Sequence, residues 1–226
     1  MVYLCGFFAA AKSDTSSIIE MRTAGDAMCR RKDCDPSLIF VPWTPRAIEA
    51  IQFWEKHFPK WNRMSPFFMD FGPCASAERW GRVDASTDWG CGGWCMPSRR
   101  GFRHEWTSAE RKAAMRNERE STGMLELMGA VRWIKLFADQ CRGRRVLLEL
   151  DNEAAVRGLE SAFSPAGDLL DLIREFKTTC VEFSICVRVR HVLGVPFNAI
   201  ADALSHNNLG LAQCLARQEL GGALIW

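Results

Sequence analysis

From Thr44 onward, apolar residues recur at helical spacing: Ala47, Ile48, Ile51, Trp54 and Phe58 make a stripe, with Thr44 placed to cap and Pro45 at the first helical position. The stripe ends near Pro59. Lys60-Trp61-Asn62-Arg63-Met64-Ser65-Pro66 then forms an aromatic-rich connector to Gly72-Pro73, so a boundary is expected near residue 75. The period changes next. Trp80–Ser86, Trp89–Met96 and Gly101–Trp106 are short segments separated by Asp, Gly and Pro-Ser, the pattern of an antiparallel three-stranded meander. The charged stretch to Arg119 is expected to be helical or loosely ordered, and solvated. Ser121-Thr122-Gly123 can cap a helix from Met124 to about Asp139, and Arg144–Asp151 is an apolar strand ending in a carboxylate. A short helix is expected over Asn152–Leu159, and a longer one starts at Ser164-Pro165 and runs through Phe176. A β-branched strand over Ser184–Arg190 and a helix over Asn198–Ser205 follow, and the last twenty residues can form an amphipathic helix.

This order predicts an α/β fold with a mixed five-stranded sheet, an antiparallel meander plus two later parallel strands joined by helical crossovers. Three regions are expected: 1–75 as a helical connector, 76–206 as the main domain and 207–226 as a C-terminal helical tail.

Composition narrows the choice of class. The 226 residues are 48% hydrophobic and 25% charged, enough for a buried core and against disorder. The formal charge of +2 announces neither a polyanion binder nor an acidic tail, so any charge argument must be local. Ten cysteines include no CxxC pair, and Cys91 and Cys95 fit a strand better than a metal knuckle. Reduced thiols fit an intracellular protein, in cytoplasm or nucleus. The opening Met1–Ala11 has an apolar run but lacks the positive start of a secretory signal, and no other run reaches a membrane-spanning length.

Four acids lie where acids are awkward. Asp84 follows Val83 on a strand expected to be central, and Glu126 shares a helical face with Gly129, Ala130 and Trp133. Asp151 ends an apolar strand, and Asp202 sits between Ala201 and Ala203. Singly, Asp84 fits a turn and Asp151-Asn152 fits a helix cap. Jointly, the four would repel unless divalent cations compensated them. Hard oxygen ligands suit Mg²⁺ or Mn²⁺, and two such ions roughly 4 Å apart can clamp a phosphodiester. The geometric expectation is that the four carboxylates converge. Glu149, with the same strand parity as Asp151, is expected to stay outside them.

The blocks Val83–Gly90, Leu125–Ala130, Leu150–Val156 and His191–Ser205 resemble, in order, the ribonuclease H domain of retrotransposon reverse transcriptases. The helix carrying Phe53-Trp54, with Lys60-Trp61-Asn62, resembles the connector before that domain in DIRS-like elements. The similarity spans roughly residues 44–206. It implies a ribonuclease H-like fold, with Asp84, Glu126, Asp151 and Asp202 as metal-binding catalytic acids and two Mg²⁺ ions, or Mn²⁺, as cofactors. It further implies Mg²⁺-dependent cleavage of the RNA strand of RNA–DNA hybrids and a separate reverse transcriptase polymerase domain as partner. Ser86, Asn152, His191, Asn198, Arg144 and Arg145 are the expected substrate-binding positions. Two departures stand out. Cellular ribonucleases H often carry a histidine after the glycine preceding the last helix, where this chain has Val195. There is also no Tyr-x-Asp-Asp polymerase motif, the only tyrosine being Tyr3, so polymerisation is excluded as its own activity. Residues 1–43 then fit a thumb-like remnant.

From Pro97 to Arg145, twelve Lys and Arg stand against six acids, a set that fits either phosphate contacts or an ordinary solvated surface. Trp89, Trp94 and Trp106 fit the core better than a substrate groove. Two rivals to the hybrid-cleaving enzyme remain open here. One is a catalytically silent ribonuclease H-like module that binds nucleic acid or tethers a polymerase; the other is a nuclease of the same fold acting on DNA.

Overall fold

Residues 43–57, 77–115, 121–161, 164 and 167–226 are described by the computed structural model. The chain divides into two units, Met1–Phe68 and Met69–Trp226; the boundary expected near residue 75 lies outside the described residues. The thumb-like segment, the signal-like opening and the connector after Phe58 lie outside the described residues.

In the first unit, helix α1 (Pro45–His57) begins as its sequence requires. The Thr44 hydroxyl accepts from the amide of Ala47 at 3.2 Å, and the Thr44 carbonyl accepts from the amide of Ile48. Ala47 is buried, whereas Ile48 and Ile51 of the expected stripe are exposed.

The second unit is built on one sheet. Strands β1 (Arg79–Ala85), β2 (Gly90–Met96) and β3 (Arg100–Glu105) form the antiparallel meander, with Asp84 opposite Gly92 and Gly92 opposite Arg103. Strand β4 (Arg145–Leu150) lies parallel to β1, and β5 (Cys186–His191) lies parallel to β4. The strand order is therefore β3-β2-β1-β4-β5, the mixed sheet expected from the sequence. Short turns join the first three strands, while parallel pairing needs long crossovers. The first crossover holds α2 (Ser108–Ala114) and α3 (Ser121–Cys141); the second holds α4 (Glu153–Ser161) and α5 (Gly167–Glu182). Helix α3 starts at Ser121 instead of Met124. Gly123 falls in its open first turn, where a Cβ would meet nothing within 4 Å, so it does not interrupt the helix.

The two faces of the sheet receive different helices. Residues 81, 83 and 91 face α3: the Cβ that Gly129 lacks would touch Val83 and Cys91, and the Trp133 indole N–H donates to the Trp94 carbonyl at 2.8 Å. Positions 80, 82, 84, 92 and 94 face the opposite way. There α6 (Ala199–Ser205) lies against β2 so closely that a Cβ on Gly92 would stand 2.3 Å from the Cβ of Leu204. Helix α7 (Leu209–Glu219) and the closing residues complete this layer. Ala212, Ala216 and Leu224 pack with Trp94, Ile200, Ala203 and Leu204, while Ile225 bridges to Arg100 beside β3. Residues 207–226, expected as a separate tail, thus cover apolar surface that β2 and α6 would otherwise expose. Burying each large side chain there contributes roughly 1.5–3 kcal/mol. Trp94 and Trp106 are core, as expected, and Trp89 is half-buried.

Candidate metal centre

The carboxyl ends of β1 and β4 are where acids from both faces of the sheet can meet. Asp84 is the penultimate residue of β1, on the α6 face and buried. Glu126 belongs to α3 on the other face, yet near the start of that helix it reaches the end of β1, where its Oε1 accepts from the Ala85 amide at 3.3 Å. Asp151 follows the last residue of β4 and is half-buried. One oxygen from each of Asp84, Glu126 and Asp151 lies within 4.8 Å of the other two.

The three acids are poorly compensated. Ser205 Oγ donates to Asp84 Oδ2 at 2.5 Å, and Asn198 Nδ2 donates to the Val83 carbonyl at 3.3 Å and to Asp84 Oδ1 at 3.5 Å. Burial first, then the charges of Asp151 and Asp202, outweigh the Ser205 hydrogen bond and hold the Asp84 carboxyl up at about 7. Burial, followed by the charges of Asp84 and Asp151, holds Glu126 well above the ordinary carboxylate range. Asp151 is also raised: burial, with the charge of Asp202, outweighs a hydrogen bond with Asp84 that pulls it down. Glu126 Oε2 is fully buried with no hydrogen-bond partner. An acceptor left over among three converging oxygen donors fits a hard divalent cation, since a carboxylate buried without a donor is otherwise costly. Asp84, Glu126 and Asp151 are the residues able to hold it.

Asp202 stands outside the three. It projects from α6 half-exposed, with its Oδ1 3.8 Å from His206 Nε2, although its charge still acts on Asp84 and Asp151. The expected convergence therefore joins three of the four acids, and the fourth is a neighbour. Glu149 is outside, as expected, for a reason the sequence did not disclose. Its Oε2 accepts from Trp80 Nε1 and Arg82 Nε, each at 2.8 Å, and its Oε1 accepts from both Nε and Nη2 of Arg190. Burial alone would raise its carboxyl, but these donors outweigh burial and leave it below the ordinary range.

The six expected substrate-binding residues separate in space. The buried Ser86 hydroxyl donates to the Ser205 carbonyl and accepts from the amides of Trp89 and Gly90, so it fastens the β1–β2 turn to the end of α6. Buried Asn198 positions Asp84. Asn152 caps α4, accepting from the Ala155 amide at 2.9 Å. His191 is exposed beside the acids, its Nε2 donating to the Asp151 carbonyl at 2.9 Å. Arg144 and Arg145 lie at the start of β4, the end opposite Asp151, and Arg144 pairs with Glu78 at 3.4 Å. Two contributors escaped the sequence reading, Ser205 and the Arg82–Glu149–Arg190 row. For Ser205 a signal existed: it is the polar residue one turn after Asp202 on an otherwise alanine- and leucine-rich helix.

No family model matches the chain, and no curated protein matches it. Among solved structures, a ribonuclease H1 isolated from compost by a metagenomic approach is similar, with a TM-score of 0.44 and 15% identity over 61% of this chain and 99% of that one. The observed sheet order, with two parallel pairs and helices on both faces, is the mixed five-stranded arrangement expected from the sequence. Among the described residues, no helix is long and apolar enough to cross a membrane.

Proposed function

We propose that this chain is a divalent-metal-dependent endonuclease that cleaves the RNA strand of RNA–DNA hybrids, as the ribonuclease H part of a retroelement reverse transcriptase. The observation that carries the reading is the meeting of buried Asp84 and Glu126 with half-buried Asp151 at the ends of β1 and β4, one oxygen of Glu126 being unpartnered. Asp84, Glu126 and Asp151 hold the metal, with Asp202 beside them, and Mg²⁺ ions, two in the full site, are the natural occupants. Bound there, the cations supply Lewis acidity toward water and the phosphodiester. Ser205 and Asn198 fix the Asp84 carboxylate in place, and the Asn152 cap holds the turn that carries Asp151. The 2′-hydroxyl would distinguish the RNA strand, and a polymerase domain would be the partner that supplies the hybrid.

A catalytically silent binding module is the second reading, favoured by one observation: Asp202 is not among the acids whose oxygens lie within 4.8 Å of one another, and its carboxylate lies 3.8 Å from His206. Cleavage of a labelled hybrid with Mg²⁺, with Mn²⁺ and in EDTA separates the two. Metal-dependent cleavage of the RNA strand alone supports the enzyme. Salt-dependent binding without cleavage supports the module.

A further inference from the structure

The face of β4 and β5 that shares its side of the sheet with Asp84 carries its own charge pattern. Alternation along β5 turns Val187 and Val189 inward and Arg188 and Arg190 outward, and both arginines are exposed. The register aligns Arg188 with Leu147, Arg190 with Glu149, and Glu149 in turn with Arg82. Arg145 lies on the same side of β4, two residues before Leu147. Four arginines therefore share this face with two glutamates. Of these, Glu149 is buried beneath Arg82 and Arg190, and Glu219 accepts from Arg82 at 2.6 Å. Arg82 is fully engaged, because it also donates to the Phe197 carbonyl. Arg190 is anchored on Glu149 through Nε and Nη2 while its side chain stays 59% exposed, so its head group is held in a fixed outward orientation. Arg188 makes no ion pair among the described residues.

We infer that Arg188 and Arg190 form a phosphate-binding strip that leads a nucleic-acid strand across β5 to the acids at the end of β4. This rests on the nuclease reading and adds the path that the substrate takes. Charge complementarity is the first argument, since this face is basic in a nearly neutral chain. Spacing is the second. Residues two apart on a strand stand about 6.7 Å from each other on the same face, so both guanidiniums can meet one phosphate backbone. Continuity is the third. By strand spacing, Arg190 lies about 8 Å from Asp151 at the Cα level, on the side of the sheet that Asp84 faces. Arginine is the residue suited to fork onto phosphate oxygens.

The test measures binding of a fluorescent RNA–DNA hybrid to the full chain in EDTA, from 50 to 200 mM salt, for the parent and for R188A, R188E, R188K and R157A. Arg157 is an exposed arginine on α4. One lost phosphate contact lowers the log–log salt slope by about 0.9, so the parent loses about 3.5-fold more affinity over that range than R188A. R188E is expected to fall further, while R188K and R157A keep the parent slope. Arg188 is exposed, and a melting temperature unchanged from the parent confirms that each variant is folded. An unaltered slope in R188E overturns the strip and leaves the nuclease reading standing. Loss of affinity for an acidic peptide with hybrid binding unchanged also overturns it, assigning the face to a protein partner. A parent that neither binds nor cleaves the hybrid overturns both readings.

Discussion

Without metal, this protein should lose stability as the pH rises from 5 to 8, and Asp84 supplies a defined part of that loss. In the unfolded chain its carboxyl titrates near the ordinary 3.8; in the folded chain burial holds it at about 7. Between those values the folded state binds the extra proton, so the contribution is fully present below the unfolded value. It is lost as the pH rises through the folded one. Only about two of the roughly three units between the unfolded and folded values lie above pH 5, and these correspond to about 3 kcal/mol. For a chain of this length, each kcal/mol moves the melting temperature by roughly 2–4 °C, so metal-free protein should melt roughly 5–10 °C lower at pH 8 than at pH 5. Glu126, raised by the same burial, acts in the same direction. The assay is thermal unfolding in EDTA across that range for the parent and Asp84→Asn, followed by Mg²⁺ addition. The Asn variant keeps an acceptor for Ser205 and removes the titrating group. It should therefore show a shallower pH dependence and melt higher than the parent at pH 8. Mg²⁺ should stabilise the parent at pH 8 and do little at pH 5, where protons already neutralise the acids. If parent and variant lose stability identically between pH 5 and 8, the slope belongs to other groups, and the argument that Asp84 is uncompensated is refuted.

Other outcomes follow from the same geometry. Asp84→Asn and Asp151→Asn should each lower Mg²⁺-dependent cleavage on the order of a thousandfold, with hybrid affinity unchanged or slightly tighter; single-turnover rates and anisotropy read the two. Glu149→Ala takes the acceptor from Trp80 Nε1 and Arg82 Nε, while Arg82 keeps Glu219, and should cost about 1–3 kcal/mol in denaturant unfolding while leaving the three acids able to bind metal. In Gly92→Ala, the new methyl would lie 2.3 Å from the Leu204 Cβ and 2.7 Å from its carbonyl carbon. Pushing α6 off the sheet should lower both stability and Mg²⁺ affinity, the latter measured by calorimetry.

The strands and helices were legible because their periods were clean: turn residues separate three short strands, and β4 and β5 are apolar or alternating runs joined by helical patterns. Helix α3 was misjudged at its start because glycine signals interruption only in the middle of a helix, and Gly123 lies in the first turn. The C-terminal residues were read as a tail because an amphipathic pattern shows that one face needs covering without naming the partner, here β2 and α6. Among the site residues, the acids were found by their apolar neighbours, but composition cannot weight distance. Asp202 has such neighbours in sequence and still stands half-exposed beside the three. Ser86 and Asn198 carry polar groups that satisfy the backbone and Asp84, a role that depends on the register between distant segments.

Asp84 and Glu149 together argue that the exposed charge balance at the site is not a packing accident. Both are carboxylates on the same side of the sheet, one row apart in register, and both are buried. Glu149 receives two guanidinium groups and an indole N–H and is held below the ordinary carboxylate range; Asp84 receives a hydroxyl and a distant amide and is pushed up to about 7. The fold thus supplies cations to a buried acid two residues along β1, where Arg82 stands, and withholds them at the end of the strand, where Glu126 and Asp151 add further negative charge. A residue with only a structural duty at that end would be better served by the Glu149 arrangement, or by an apolar side chain. The uncompensated cluster costs stability at neutral pH, and a ligand that brings positive charge removes that cost. That same economy places the arginines on β5 beside the acids and not among them, where they can meet an anionic strand without neutralising the site that the metal must occupy.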